Sequence, residues 1–390
     1  MLIGIVGKPN VGKSTFFRAA TLAEAEIAPY PFTTIKANEG VGFVRVECPK
    51  KDCKPNQGFC IGNQRFVPIK LLDVAGLVPG AHAGKGLGNK FLDDLRQADA
   101  LIHIIDASGS TNEKGEMVKS GSYDPTKDIK FLEEEIDAWF TGILKRTWSK
   151  FSKQAKDERA IVDQFSGLKI TFEHVKAALR KAKLADKGLR DWSEDDIKDF
   201  ATEIRKISKP IIIAANKIDL PTAKENIEKL KKEFPELLIV PCSAESELAL
   251  REAAKDELIK YVPGDKEFEI LQTDKLNEKQ KKGLDLIKKI LGKWDSTGVQ
   301  QCINSAVFDY LKYKVAYPVE NANKFSDSKG NVLPDAFILP PEATAKDLAY
   351  AVHSSIGDKF VRAIDAKTKK VIGKDHILKN GDVVEIVTSR

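Results

Sequence analysis

The chain has no apolar run near the ~18 residues that span a bilayer. Its first residues, MLIGIVGKPN, lack the basic stretch, apolar core and small-residue cleavage site of a secretory leader. A cytoplasmic protein with no membrane partner is expected. Five cysteines are an odd count, too few for a disulfide framework in 390 residues, which fits a reducing compartment. A strong charge surplus is also missing: 63 Lys+Arg against 57 Asp+Glu leaves +6, which permits a nucleic-acid partner without demanding one. There is no internal repeat and no low-complexity tract. The 42% hydrophobic and 31% charged residues exclude a disordered chain, and the length allows two or three domains. Nothing in the sequence speaks to oligomeric state.

What is present is an alternation of apolar runs and helical periodicity. Leu2–Val6, Val67–Leu72, Leu101–Ile105, Ile211–Ala215 and Leu237–Val240 are short apolar runs, each followed by a polar or Gly-rich loop and a helical pattern. Such buried runs predict a mostly parallel sheet covered by helices on both faces, an α/β fold with its functional loops at the carboxyl ends of the strands. Residues 127–205 break the alternation. Ile129, Leu132, Ile136, Phe140, Ile143 and Leu144 follow helical spacing, as do Phe172, Val175 and Leu179, so a helical insertion, read as an antiparallel pair, is expected between two strands. Beyond residue 262 come a Lys-rich helix over 275–293 and a second from about 298 to 312. A small α+β unit follows, with strands at 337–339, 360–364 and 383–387 and a helix over 345–353.

Residues 7–15 read GKPNVGKST, which fits G-x-x-x-x-G-K-[ST] after a strand and before a helix. Gly7 and Gly12 let the backbone turn its N–H groups inward, around Asn10 and Val11, toward a phosphate chain at the helix N-terminus. Lys13 offers a point charge for the β- and γ-phosphates, and Ser14 and Thr15 follow, with Ser14 supplying a hydroxyl for Mg²⁺. Asp73-Val-Ala-Gly76 ends the next apolar strand. Asp73 can hold Mg²⁺ through water, and the Gly76 amide can reach a γ-phosphate with no side chain in the way. Thr34, in Pro31-Phe-Thr-Thr34, is either a Mg²⁺ ligand and γ-phosphate sensor or an ordinary loop threonine.

Asn216-Lys-Ile-Asp219 is N-K-x-D at a strand end, with Cys242-Ser-Ala-Glu245 after the next strand. A carboxylate only accepts hydrogen bonds, and guanine presents two donors on its pairing edge where adenine does not. Sites built on such pairing reject the analogue by ~10⁴–10⁵. GTP is therefore the expected substrate, ahead of ATP. A P-loop kinase is disfavoured, because N-K-x-D has no role in recognising a small phosphoryl acceptor.

The segments GKPNVGKSTFFRA, YPFTT, DVAGLVPGAHAGKGLGNKFLDDLR and NKID, with the C-terminal unit, resemble the YchF/Obg-like ATPase branch of the Obg superfamily of translation-associated GTPases, in its archaeal form. The resemblance covers essentially the whole chain. It implies a Ras-like P-loop G domain over 1–126 and 206–262, a helical insertion over 127–205, a helical linker over 263–313 and a β-grasp TGS domain over 314–390, the last linked to RNA or ribosome contact. It implies that Asn216, Lys217 and Asp219 contact the base, that the Ser243–Ala244 backbone meets its carbonyl, and that Ser14 and Thr34 ligate Mg²⁺. Bacterial and eukaryotic members commonly lack the N-K-x-D aspartate and prefer ATP; this chain keeps Asp219. Ras-like enzymes usually carry Gln just after D-x-x-G to orient the attacking water, where this chain, like the family, has Leu77. Leucine cannot hydrogen-bond water, so a slow GTPase switch is expected, with turnover on the order of 10⁻⁴–10⁻² s⁻¹. His82 is the candidate for positioning water, against an exposed loop imidazole. Asn10 resembles a residue that helps bind K⁺ in some relatives.

Three further signals are weaker. Cys48, Cys53 and Cys60 fall in one stretch with Pro49, Pro55 and Gly58. Zinc wants four ligands in close pairs, so free thiols in a surface insertion are the favoured reading over a metal site. His103, inside LIHIID, reads as a satisfied core or sheet-edge imidazole rather than a ligand. Lys359, Arg362, Lys367, Lys369, Lys370, Lys374 and Lys379 make 358–379 the better nucleic-acid candidate, ahead of the Lys-rich helix. Two alternatives to the switch remain: a nucleotidase that accepts ATP, and an RNA-binding module in which nucleotide is structural.

Overall fold

The apolar runs become the strands of one seven-stranded sheet in a computed structural model, which describes residues 1–22, 36, 38–51, 53–74, 76, 88–154 and 157–389. Its elements are β1 (Leu2–Val6), α1 (Lys13–Thr21), β2 (Glu39–Glu47), β3 (Phe59–Ile61), β4 (Gln64–Asp73), α2 (Gly88–Gln97) and β5 (Ala100–Asp106). The insertion then adds α3 (Thr126–Lys145), α4 (Trp148–Gln154), α5 (Ile161–Gln164), α6 (Phe172–Lys181) and α7 (Glu194–Ser208). The sheet resumes with β6 (Ile211–Asn216), α8 (Ala223–Glu233), β7 (Ile239–Pro241) and α9 (Ala244–Lys255).

The strand order is β2-β4-β1-β5-β6-β7, with β3 on β4. From β4 to β7 every pair is parallel. Every residue of β1, β5 and β6 is buried, as a parallel strand covered on both faces requires. Parallel strands point their carboxyl ends one way, so the segments after Val6, Asp73, Asp106, Asn216 and Pro241 share one edge of the sheet.

The insertion is not a detached module. Trp139, Phe140, Phe165, Trp192 and Phe200 belong to the same buried cluster as Leu72, Leu101 and Ile213 of the sheet. Lys145 near the end of α3 pairs with Glu194 at the start of α7, while Arg205 near the end of α7 reaches Glu133 at 3.2 Å and Asp137 at 2.7 Å. The two long helices therefore run antiparallel.

A short hairpin of β8 (Ile259–Tyr261) and β9 (Phe268–Ile270) leads to α10 (Glu278–Trp294) and α11 (Val299–Asn304). The expected helix over 298–312 differs in form: its α-helical part stops at Asn304, and residues 305–310 widen into a π-helical turn. The C-terminal unit comprises β10 (Lys314–Val319), β11 (Phe337–Leu339), α12 (Ala345–Val352), α13 (Ser354–Asp358), β12 (Phe360–Asp365), β13 (Val371–Ile372) and β14 (Asp382–Thr388). Its five-stranded sheet runs β11-β10-β14-β12-β13, with β10 and β14 parallel and the other pairs antiparallel. α12 covers the small core of Ala316, Leu348, Ala363 and Val384. The opposite side joins the G-domain core: Val315, Tyr317 and Val383 cluster with Val299, Ile303, Ile5 and Ile104.

Six strands were absent from the sequence reading: β2, β3, β8, β9, β10 and β13. β2 is a nine-residue antiparallel partner of β4, and β3 turns the cysteine-bearing stretch from a loop into a hairpin. EGVGFVRVE carries two glycines and no continuous apolar run, so it escapes a search for fully buried strands. Among the described residues no helix is long and apolar enough to cross a membrane.

Candidate functional site

At the carboxyl edge of the sheet lies a cleft of about 450 Å³ lined by Lys8, Asn10, Gly12, Lys13, Ser14, Thr15, Asn216, Lys217, Asp219 and Glu245, with Pro9. Two sequence-distant motifs, the phosphate loop and N-K-x-D, thus meet in one cavity. β1 delivers the loop and α1 receives it. Gly12 caps α1 with a φ of 95°, and a Cβ there would stand 2.2 Å from the Asn216 amide nitrogen. A Cβ on Gly7 would stand 2.7 Å from the Ile104 carbonyl oxygen. Both glycines are required by close approach.

Asn216 is buried and fastens the two halves of the site. Its Nδ2 donates to the Val11 carbonyl at 2.8 Å, and its Oδ1 accepts from the Ala244 amide at 3.0 Å. The Ser243 amide donates to the Thr297 carbonyl at 2.9 Å. The two amides expected to meet a base carbonyl therefore both have partners within the protein. Glu245, next along and unremarked as a site residue in the sequence, lines the cleft instead.

Lys217 holds a left-handed φ of 66°, a conformation that costs a non-glycine residue about 1–2 kcal/mol. Its ammonium repays this by donating to Asp106 Oδ2 at 2.8 Å and Thr111 Oγ1 at 3.1 Å. Burial alone would raise the Asp106 carboxyl, but Lys217 and the hydroxyls of Ser108, Thr111 and Ser110 outweigh it and hold the acid below its ordinary range. The sequence reading missed Asp106. Its signal was available: an acid at the carboxyl end of β5, followed by the hydroxyl-rich Ala-Ser-Gly-Ser-Thr.

Lys8 was missed as well. Its ammonium donates to the Thr111 carbonyl and to Asp128 Oδ1, both at 2.9 Å, and lies 3.8 Å from the Tyr123 ring centroid. Tyr123 donates its hydroxyl to the same carboxylate at 2.9 Å. Burial pushes the ammonium down and the carboxyl up from their ordinary values, and their mutual attraction opposes both shifts. Asp128 lies in the first turn of α3, so this contact ties the phosphate loop to the helical insertion.

Lys13 forms an ion pair with Asp73 at the end of β4. Ser14 is exposed and Thr15 half-buried on the first turn of α1. Among the described residues nothing lies within 4 Å of where a Cβ on Gly76 would stand. Asn10, at a φ of 62°, donates its side-chain amide to the Gly115 carbonyl at 2.8 Å. Asp219 is exposed on the rim, 3.5 Å from the Ser243 hydroxyl. Thr34, Leu77 and His82 lie outside the described residues. His103 is buried in β5, where burial and then Lys8 push its imidazole down to about 3, and its Nδ1 has no hydrogen-bond partner among the described residues. It is a neutral core residue, but not the satisfied one expected.

Residues 2–135 match the family described as 50S ribosome-binding GTPase. Residues 214–321 match the G4 motif-containing domain of the Obg-like GTPase YGR210-like family, and residues 329–388 match the TGS domain. A GTP-binding protein of Methanocaldococcus jannaschii is 50% identical over 396 residues, covering 100% of this chain and 99% of that one.

The chain belongs to the YchF/Obg-like GTPase family.

Among other members, the ribosome-binding ATPase YchF of Bacillus subtilis is 34% identical over 269 residues, 65% of this chain and 69% of its own. The crystal structure of a GTP-binding protein from Pyrococcus horikoshii OT3 matches over 100% of both chains, at 38% identity and a TM-score of 0.78. This YchF/Obg-like chain is a GTP-binding protein built on a P-loop nucleotide-hydrolase domain and a TGS domain.

The Asn216 strap carries a direct expectation. Asn216→Ala leaves a buried carbonyl at Val11 and a buried amide at Ala244 without partners, each worth about 1–3 kcal/mol. Affinity for GDP should fall roughly 30-fold or more, with the circular dichroism spectrum unchanged. Full affinity in the variant, measured by titration calorimetry, would remove Asn216 from this role.

Proposed function

We propose that this chain is a magnesium-dependent switch that selects GTP over ATP, hydrolyses it slowly to GDP and phosphate, and works on the ribosome. The observation that carries the purine choice is the position of Asp219. It lies on the cleft, three residues beyond β6, with Asn216 and Lys217 of the same motif locked to the phosphate loop and to Asp106. Its carboxylate would accept the two donors of a guanine edge. Charge-assisted hydrogen bonds of this kind are worth about 1.5–3 kcal/mol each. Because Asp219 is exposed rather than buried, the factor of ~10⁴–10⁵ expected for a desolvated site is too large, and ~10²–10³ is the appropriate range.

The donor set fits Mg²⁺, a hard cation that takes oxygen ligands and keeps several waters. Ser14 would offer its hydroxyl directly and Asp73 its carboxylate through water, with Thr34 the further candidate. When bound, the ion would neutralise charge on the β- and γ-phosphate oxygens. Lys13 and Asp73 hold each other in the structure. A triphosphate with its cation would draw them apart, Lys13 to the phosphates and Asp73 to the metal side. That exchange makes the end of β4 sensitive to the γ-phosphate, which is what a switch needs. The Gly76 amide, with no side chain of its own in the way, would meet the γ-phosphate there. Leu77 offers no group to orient water, which supports slow intrinsic turnover, on the order of 10⁻⁴–10⁻² s⁻¹. His82 remains the candidate for that task. K⁺ beside Asn10 would take the side-chain oxygen as a ligand, while the amide nitrogen donates to the Gly115 carbonyl.

Ribosome contact is supported by the matched 50S ribosome-binding description and by the name of the Bacillus subtilis relative. The C-terminal unit offers the surface: Arg362, Lys367, Lys370, Lys374 and Lys379 are all exposed. A nucleotidase tolerant of ATP is the second reading, favoured by relatives named as ATPases.

Competition of GDP against ADP separates the two readings. GDP should bind ~10²–10³-fold tighter, and Asp219→Ala should erase most of that margin. ADP binding within tenfold of GDP would refute the purine assignment. Co-sedimentation with ribosomes should depend on a non-hydrolysable GTP analogue over GDP. Equal sedimentation in both states would refute the switch.

A further inference from the structure

Cys48, Cys53 and Cys60 are spread over thirteen residues of sequence, yet their sulfur atoms all lie within 4.8 Å of one another. The hairpin explains how. β2 and β3 both pair with β4, so Glu47 stands opposite Gln64 and Cys60 opposite Arg65. Cys48 follows β2 directly and donates its amide to the Asn63 carbonyl at 3.0 Å. Cys53 closes the triangle from the intervening loop. All three are free thiols.

Arg65 is the second observation. It is fully buried; among the described residues its guanidinium donates to the main-chain oxygens of Leu333 at 3.2 Å, Gln57 at 3.0 Å and Pro334 at 3.3 Å, and it lies against the Cys53 thiol. Its Nε has no partner, and no carboxylate pairs with it among the described residues. A buried guanidinium demands a counter-charge. A divalent ion held by three thiolates carries a net charge of −1, which matches it.

The geometry also sets the size of the guest. One zinc with Zn–S bonds of about 2.3 Å places its tetrahedral sulfurs about 3.8 Å apart. The observed spread needs only a small contraction to reach that value. An iron–sulfur cluster would require its cysteines to stand wider apart. Thiolates are soft ligands that select zinc or Cu(I) over hard cations. Outside the sulfurs lies an open space of about 330 Å³, lined also by Lys50, Lys51 and Asn63, with room for water as a fourth ligand. That open position supplies what the sequence reading counted as missing.

We propose that Cys48, Cys53 and Cys60 bind one zinc ion, with water in the fourth position, and that the ion clamps the β2–β3–β4 hairpin to the C-terminal unit. Binding expels the protons of whichever ligands are still thiols. The clamp follows from what the loop between Cys53 and Cys60 touches. Lys54 donates its amide to the Val332 carbonyl at 2.9 Å and Asn56 to Pro334 at 2.7 Å. Arg65 reaches the same strip of chain. Fixing the sulfurs therefore fixes the register between the nucleotide-binding domain and the TGS unit, independently of which purine the cleft takes.

The test uses the full-length reduced protein titrated with Co²⁺ as a spectroscopic probe, followed by displacement with Zn²⁺. One equivalent should produce thiolate-to-cobalt charge-transfer absorption and tetrahedral d–d bands, both bleached by one equivalent of Zn²⁺. Cys53→Ser and Cys60→Ser should each weaken binding by about 100-fold or more, while Cys242→Ser should leave it unchanged. Octahedral bands without charge transfer, or an unchanged spectrum in Cys53→Ser, would overturn the proposal. Should the serine variants fail to fold, the wild-type protein decides alone: a thiol-reactive mercurial must release one zinc per chain, and none released refutes the site.

Discussion

A single buried amide side chain holds this site together. Asn216 reaches back to the carbonyl of Val11 and forward to the amide of Ala244. The glycine-rich loop after β1 and the loops after β6 and β7 come from opposite ends of the G domain, more than two hundred residues apart. Neither could keep its place in a polar, solvent-facing cleft by packing alone. Satisfying one buried donor and one buried acceptor with the same residue fixes their spacing, and the cost of leaving either unpaired makes the arrangement stiff. Gly12 belongs to the same constraint, because only a residue without a Cβ lets Asn216 approach.

Around that strap the charges follow one pattern. Each lysine of the cleft is held by an aspartate: Lys13 by Asp73, Lys217 by Asp106, and Lys8 by Asp128. Asp73 and Asp106 end β4 and β5, the parallel strands on either side of β1, and Asp128 opens the insertion. Lys8–Asp128 and Lys217–Asp106 are buried or nearly so and serve as framework. Lys13–Asp73 is more accessible and is the pair a nucleotide would exchange. The sheet therefore supplies a rigid set of pairs and one movable pair. Lys8 extends the network to α3, so the insertion and the phosphate loop cannot shift independently.

The G-x-x-x-x-G-K-S and N-K-x-D segments, which line one cleft, were legible because each is local: a few residues whose chemistry and spacing speak without a fold. The parallel strands were legible for the same reason, as uninterrupted apolar runs. Partners brought together by topology were hidden. Asp106 meets Lys217 across 111 residues, and Lys8 meets Asp128 across 120. The antiparallel strand β2, mixed in pattern and rich in glycine, left no such run, and without it the three cysteines looked scattered. Once β2 and β3 flank β4, the register alone gathers them. The amides of Ser243 and Ala244, expected to meet a base, looked free in sequence because nothing local showed that Thr297 and Asn216 already accept from and fasten them.

The central claim is that the phosphate loop, the Asp106 turn, N-K-x-D and the start of α9 act as one unit through Asn216. Hydrogen–deuterium exchange of the full chain, with and without magnesium and GDP, tests it most directly. The account predicts that protection rises together in residues 7–15, 106–111, 216–219 and 243–246. Protection confined to 7–15, with the other three segments unchanged, would contradict it.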